Sequence, residues 1–454
     1  MYVIRSAAPA IARLLASAMI ALATCGTAPV TSAQLPTSAD LQAVTVQDAF
    51  DLLMDRYVHE LDSAAVLRAG WAELEQEASR RQAVAPGPVP GLSGEREADI
   101  NALESALSDY VGEVADLPAT FVPAHAIIRG MVAAVNEGHT VFLDPPAYAD
   151  YLDWARGARR YGGIGVRVRG PGLHVAEVYE NAPAARAGVR MGDVIDRVDD
   201  AVVDGLPDAQ AAALLRGAVG STVEVQVHRT GASAPLALSL QRELVSPAPV
   251  AEGLLEGNVG YLRLRSFPED PSVLTAVDEA LDSFDRAGLR GLVVDLRGNA
   301  GGRLDTGAAV LSRFLPVGTP LFDERARSGW LERHSATQAS VYCAPLVLLV
   351  DGGTASMGEI FAAVLREQGA SPVVGTTTAG NVAGGKTFAL DDGSALEVTV
   401  REIVTAGGHV LNGVGVAPDE VVHAPDDAPG DPALERAVAL VPEAGQGWSA
   451  CEPR

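Results

Sequence analysis

Cysteine is scarce in this sequence, with three in 454 residues, at Cys25, Cys343 and Cys451. No Cys/His pattern has metal-ligand spacing, so no metal and no cofactor is expected. Positive charge is also short: 34 Lys+Arg stand against 58 Asp+Glu, a formal net charge of −24. Such a chain repels phosphate backbones, which argues against nucleic acid as a partner. Beyond the first thirty or so positions there is no apolar run long enough to span a bilayer.

What the chain does have is ordinary globular material, 48% hydrophobic and 20% charged. At roughly 150 residues per domain its length suggests about three structural units. The N-terminus stands apart. Arg5 and Arg13 precede an apolar run, Leu14 to Ala23, with the shape of a signal-peptide h-region, so residues 1–34 are read as an export signal. Leu22-Ala23-Thr24-Cys25 resembles a lipobox, which would lipidate Cys25 and attach the chain to a membrane. The alternative is ordinary cleavage between Ala28 and Ala33. Export predicts a periplasmic or cell-envelope location, where Cys343 and Cys451 could pair or remain free.

Periodicity divides the rest. Val46 to Glu60 and Ser63 to Glu77 carry apolar faces at helical spacing, Ala83 to Gly94 is a Pro/Gly loop, and Glu95–Tyr110 and Ala124–Val135 continue a helical region over 35–157. Residues 158–245 switch to short alternating strands, such as Ile164, Val166 and Val168, with one clear helix over Asp208–Leu215. From 246 to 424 apolar strands alternate with helices, which predicts an α/β sheet covered on both faces. Residues 425–454 read as a tail with one helical stretch.

Two clusters carry chemistry. Asp295-Leu296-Arg297-Gly298-Asn299-Ala300-Gly301-Gly302 ends a buried strand in a Gly-rich turn before a helix, where backbone N–H groups can hold an anion or oxyanion. Asp351-Gly352-Gly353-Thr354-Ala355-Ser356-Met357-Gly358-Glu359-Ile360 repeats the design with Ser356 at the start of a helix. A lone serine there is usually an N-cap. Two such turns in one sheet point instead to a nucleophile in one and an oxyanion donor in the other.

The order of these motifs resembles the carboxyl-terminal processing, or tail-specific, serine protease family, which shows a D-L-R-N-N-P-G-G turn and an N-x-x-S-A-S-A-S-E-I turn. The likeness spans most of Val46 to Val422 and includes the closing Gly415-Val416-Ala417-Pro418-Asp419. It implies a crotonase-like α/β core with a helical N-terminal segment and an inserted PDZ domain, a serine endopeptidase acting through an acyl-enzyme on unstructured C-terminal tails, and protein or peptide substrates. The nucleophile would be Ser356, and the oxyanion hole would use the amides of Gly301 or Gly302 and of Met357. Tyr161-Gly162-Gly163-Ile164-Gly165-Val166 resembles a PDZ carboxylate-binding loop, with Gly163, Ile164, Gly165 and Val166 as the peptide-binding residues.

One departure matters. Many family members pair the serine with a lysine in a G-E-x-T-F-G-K-G stretch. Here Asn381 stands at that position and Lys386 lies five residues on. An asparagine amide cannot take a serine proton. The stretch Asn136-Glu137-Gly138-His139-Thr140 is similar to one in tricorn-like relatives that use the histidine as general base, so His139 is the expected base. By the same resemblance Asn412 would orient it, with Glu359, Glu397 and Glu402 as alternatives. His59, His174, His228, His334, His409 and His423 are weaker candidates; His334 falls in a polar stretch, and His409 keeps a chance of reaching the site. The rival expectation is a pseudoprotease, a PDZ peptide-binding scaffold that lost its lysine. The oligomeric state is not legible.

Overall fold

The computed structural model describes residues 38–114, 121–155, 161–169, 173–203, 206, 208–232, 234–338, 342, 344–423 and 431–441. The export signal, Cys25, Cys343 and Cys451 lie outside the described residues. Among those described, no helix is long and apolar enough to cross a membrane.

A six-stranded sheet forms the centre, in the order Val250–Leu255, Val259–Leu264, Gly291–Asp295, Leu346–Val350, Val373–Gly375, Glu420–Val421. The first pair is antiparallel and the rest are parallel. Every residue of Gly291–Asp295 and of Leu346–Val350 is buried, as expected of parallel strands covered on both faces. Helices Ser272–Ala287, Leu304–Leu311 and Met357–Glu367 pack on one face.

The other face is covered by the C-terminal segment. The stretch expected to be a tail folds back: helix Pro432–Leu440 buries Ala433 and Ala437 against Val259, Val293, Val347, Leu349 and Val374. Asp431 caps that helix through Leu434 N and also accepts from the Arg297 guanidinium at 2.8 and 2.9 Å. Nine residues gave too short a periodic pattern to separate a docked helix from a loose one.

A second sheet is built on the long strand Ala395–Thr405. It pairs with Val141–Leu143 and then Pro320–Ala326, with Gly384–Ala389 also alongside, and Leu331–Ser335 follows at the edge. The N-terminal helices Ser38–Arg56, Ser63–Arg80, Arg96–Glu113 and Pro123–Val135 share one core with Leu396 and Val398 of this strand. Helix Pro123–Val135 is thereby fixed to the second sheet, and the turn that follows it, carrying His139, is fixed too.

The inserted module has its own core, around Ile164, Val175, Ile195, Val223 and Val225. Strand Tyr161–Gly163 pairs with Glu243–Val245, which brings the module's entry and exit together. In its main sheet Val166–Arg169 is an edge strand, paired among the described residues only with His174–Val178.

Candidate active site

The two Gly-rich turns follow neighbouring parallel strands in register, Asp295 opposite Leu349, so both emerge at the same sheet edge. Cross-links hold them together. Gly298 N donates to Asp351 Oδ1 at 2.7 Å, Ala355 N donates to the Asn299 carbonyl at 2.8 Å, and Thr354 Oγ1 donates to the Leu296 carbonyl at 2.9 Å. The first turn is anchored from below. Asp295 is fully buried between Arg263 and Arg297, accepts from Tyr261 Oη at 2.8 Å, and is held well below the usual carboxylate range by those two guanidinium groups despite its burial.

Ser356 lies at the end of the second turn, half-buried, with φ 54° and ψ −124°. A non-glycine residue in that region stores on the order of 1–3 kcal/mol of strain, which marks a side chain forced into a required direction. The first turn meets it closely. A Cβ built on Gly301 would sit 2.6 Å from Ser356 Cβ and 3.0 Å from both Ser356 Oγ and Met357 N.

The oxyanion candidates divide. Gly301 N is not available, because it donates to Asn299 Oδ1 at 2.8 Å in a buried turn. Met357 N and Gly302 N have no protein acceptor among the described residues. Helix Met357–Glu367 starts at Met357, so that amide is one of the orphan donors of a helix N-terminus.

His139 reaches the same place from the second sheet. Its backbone N and that of Thr140 donate to the Glu137 carboxylate at 3.0 and 2.6 Å, and Thr399 Oγ1 ties Glu137 to the long strand at 2.9 Å. The imidazole Nε2 donates to the Asn381 carbonyl at 2.8 Å, and the same oxygen accepts from Ser356 N at 2.8 Å. One carbonyl therefore joins the serine and the histidine. A neutral imidazole carries one proton, so an Nε2 donating to a carbonyl has no lone pair for a hydroxyl. Leaving Asn381 and exchanging tautomer would free it.

The loop that carries Asn381 hangs on Glu359. This fully buried carboxylate accepts from Ser356 N at 3.1 Å, Gly380 N at 2.8 Å, Asn381 N at 2.9 Å and the Thr378 hydroxyl. The sequence signal for it was Ser356-x-x-Glu359, a capping-box spacing at a helix start. A glutamine there presents an NH2 to donors that need an acceptor. Glu359→Gln is expected to cost about 2–4 kcal/mol, read by urea unfolding; a loss below about 0.5 kcal/mol would show that the hub is not structural.

Among the described residues, none of the other groups expected to orient His139 hydrogen-bonds to its ring. Asn412 Oδ1 accepts from Val382 N at 3.2 Å, bracing the Asn381 loop from beyond rather than holding the imidazole. Glu402 stands opposite Arg325 in the second sheet, and Glu397 makes no hydrogen bond to the ring among the described residues. His409 is also placed away, with Nδ1 2.6 Å from Glu367 at the far end of the Ser356 helix. Lys386, the single lysine of the chain, is exposed, with its ammonium 5.2 Å from the Phe388 ring centre.

A cleft of about 750 Å³ opens over Ser356, His139 and Gly302. Its far wall comes from a hairpin that periodicity did not reveal. Pro320–Ala326 and Leu331–Ser335 place Glu324, Glu332 and His334 on one face with Arg401. His334, expected in a polar loop, lies in a strand with Nε2 2.8 Å from Glu324 Oε1, and Arg401 Nη1 is 2.5 Å from Glu324 Oε2.

Comparison with known proteins agrees with this architecture. Residues 258–422 match the model of peptidase family S41, and residues 162–240 match that of the PDZ domain. The carboxyl-terminal-processing protease of Synechocystis sp. is 31% identical over 309 residues, 66% of this chain and 71% of that protein. The carboxy-terminal processing protease CtpA of Bacillus subtilis is 28% identical over 303 residues, 66% of this chain and 64% of that protein's length. Among solved structures, a photosystem II D1 C-terminal processing protease superposes with a TM-score of 0.50 at 26% identity, covering 84% of this chain and 93% of that one. The chain belongs to peptidase family S41, among the serine-type carboxy-terminal processing proteases, and carries a PDZ domain.

Proposed function

We propose that this chain is an exported serine endopeptidase that trims or degrades protein substrates through their unstructured C-terminal ends. Ser356 is its nucleophile and His139 its general base. The observation that carries the reading is the convergence, in one cleft, of a strained serine, a histidine one carbonyl away and the unengaged Gly302 amide, with the unengaged amide of buried Met357 next to the serine in the chain. In the reaction, Ser356 Oγ attacks the scissile carbonyl carbon while His139 Nε2, freed from Asn381, takes the hydroxyl proton. Met357 N and Gly302 N donate to the oxyanion. The proton then passes to the leaving amine as the C–N bond breaks, and water attacks the acyl-enzyme by the same route. Labelling with a fluorophosphonate, followed by peptide mapping, tests it directly: a folded protein that stays unlabelled at Ser356 is a scaffold, not a protease.

The core over 246–424 is, on this reading, crotonase-like, flanked by a helical region over 35–157 and a PDZ module over 158–245. Support comes from the parallel sheet whose adjacent strand-end turns both face the cleft. Export rests on the N-terminal pattern of the sequence.

The PDZ module would select substrates by their ends. Val166–Arg169 is an edge strand, open to a peptide adding as a further strand, and Ile164 and Gly165 link it to strand Tyr161–Gly163. A substrate with a free apolar C-terminus should be cut with a lower KM than its C-terminal amide, which lacks the carboxylate. Equal KM values for the two would reduce the module to a spacer.

A further inference from the structure

The acidic side chains around the cleft are paired, with one exception. Glu269 and Asp305 both face Arg303, and Glu324 and Glu332 both face Arg401. Glu397, which lines the same cleft, has no hydrogen bond or ion pair among the described residues. Its place in the sheet explains why. It stands mid-strand, opposite Val141 on one side and Thr387 on the other, and neither offers a charge.

The titratable groups around it give no relief. Glu137, from the turn before His139, is the charged neighbour that acts on it, and it repels. Tyr151, from helix Pro145–Ala155, keeps its hydroxyl 2.8 Å from Thr387 Oγ1. Lys386 belongs to the neighbouring strand, but its register partner is Val398 and its ammonium lies over Phe388. Burial first, and Glu137 second, push the Glu397 carboxyl up to about 7. Gly385 leaves its approach open: a Cβ there would sit 2.6 Å from Glu397 Oε1.

A desolvated carboxyl without a cation is an unrepaid cost within the protein. A cation arriving with the substrate would offset it. We propose that Glu397 is a specificity residue, selecting peptides that place a lysine or arginine side chain in the cleft near Ser356. The inference rests on the protease reading above and adds to it a class of substrate. A flexible basic side chain suits the place, because its stem can lie along Val141 and Val400 while its head meets the carboxylate.

The test uses quenched fluorescent peptides that differ at one position, carrying lysine, its uncharged analogue norleucine, or glutamate, scanned through the sites flanking the cut. At one site lysine should exceed norleucine in kcat/KM by at least about tenfold at pH 8. That ratio should shrink toward one by pH 5.5, because Glu397 is ionised above its pKa and neutral below it. Titration of the base affects both peptides alike and cancels in the ratio. In Glu397→Gln the ratio and its pH dependence should vanish. The inference is overturned if no site prefers lysine, if the ratio survives in Glu397→Gln, or if that variant lowers both peptides equally, which would make Glu397 part of the catalytic chemistry. Fluorophosphonate labelling separates the two readings. If Ser356 labels and peptides are cut without a lysine preference, only this inference falls; if nothing is cut and Ser356 does not label, the protease reading falls and takes this one with it.

Discussion

Ser356→Ala should lower kcat by about 10⁶ while leaving the circular dichroism spectrum and the thermal midpoint close to those of the parent, since the change removes one hydroxyl from a half-buried position. His139→Gln should be nearly as damaging, because a nucleophile and its base act as one unit. Lys386→Ala should change kcat by less than about threefold. A family-style dyad would need Lys386, the one lysine of the chain; it lines the same cleft as Ser356, but it is exposed and its ammonium lies 5.2 Å from the Phe388 ring centre. The decisive measurement is single-turnover hydrolysis by the three variants, purified away from host proteases. An active His139→Gln beside a dead Lys386→Ala would hand the base role to the lysine.

Gly301→Ala should cost kcat at least about 10²–10³ through misplacement of the nucleophile and of the amide beside it. Two effects add. The position has φ +93°, where a side chain is strained, and the new methyl would overlap Ser356 Cβ at 2.6 Å and crowd Oγ and Met357 N at 3.0 Å. Since Gly301 N is already bonded to Asn299, the loss would come from sterics and not from a missing oxyanion donor. Gly288→Ala is the control. It has φ +62°, ends helix Ser272–Ala287 and has nothing within 4 Å of the built Cβ, so it should lower stability and spare kcat. Comparable kcat losses in both variants would mean that backbone strain, and not crowding of Ser356, explains the effect.

Much of this site is legible in the sequence. The apolar strands Gly291–Asp295 and Leu346–Val350, each running into a Gly-rich turn, announced themselves by composition, and parallel pairing then had to bring the turns together. His139 was singled out because Asn381 cannot accept a proton. The sequence could not show that the backbone oxygen of that same Asn381 would be the atom joining His139 to Ser356. Backbone groups are identical at every position, so their roles depend on fold alone. Asn412 illustrates the reverse failure: a plausible type at a plausible place, engaged by Val382 N. The hairpin bearing Glu324, Glu332 and His334 escaped notice because alternating charged residues on a half-exposed strand look like a loop. By residue type and position Glu397 suggests no more than an orienting group. Its isolation is a property of its neighbours, several of which, Glu137, Val141 and Tyr151, lie far from it in the chain.

The docked C-terminal helix changes how the enzyme's own tail must be regarded. Asp431 holds the outer side of Arg297, whose inner side holds Asp295 beneath the first Gly-rich turn, and the helix that follows seals the sheet face behind both Gly-rich turns. Removing the chain from Asp431 onward would leave Arg297 with one carboxylate and bare the apolar face of Val293, Val347 and Leu349 to water. On the proposed reading of a protease that engages C-terminal ends, this stretch is shielded from its own kind: an extended strand is what a protease cleft accepts, and residues 432–440, folded as a capped helix, do not present one.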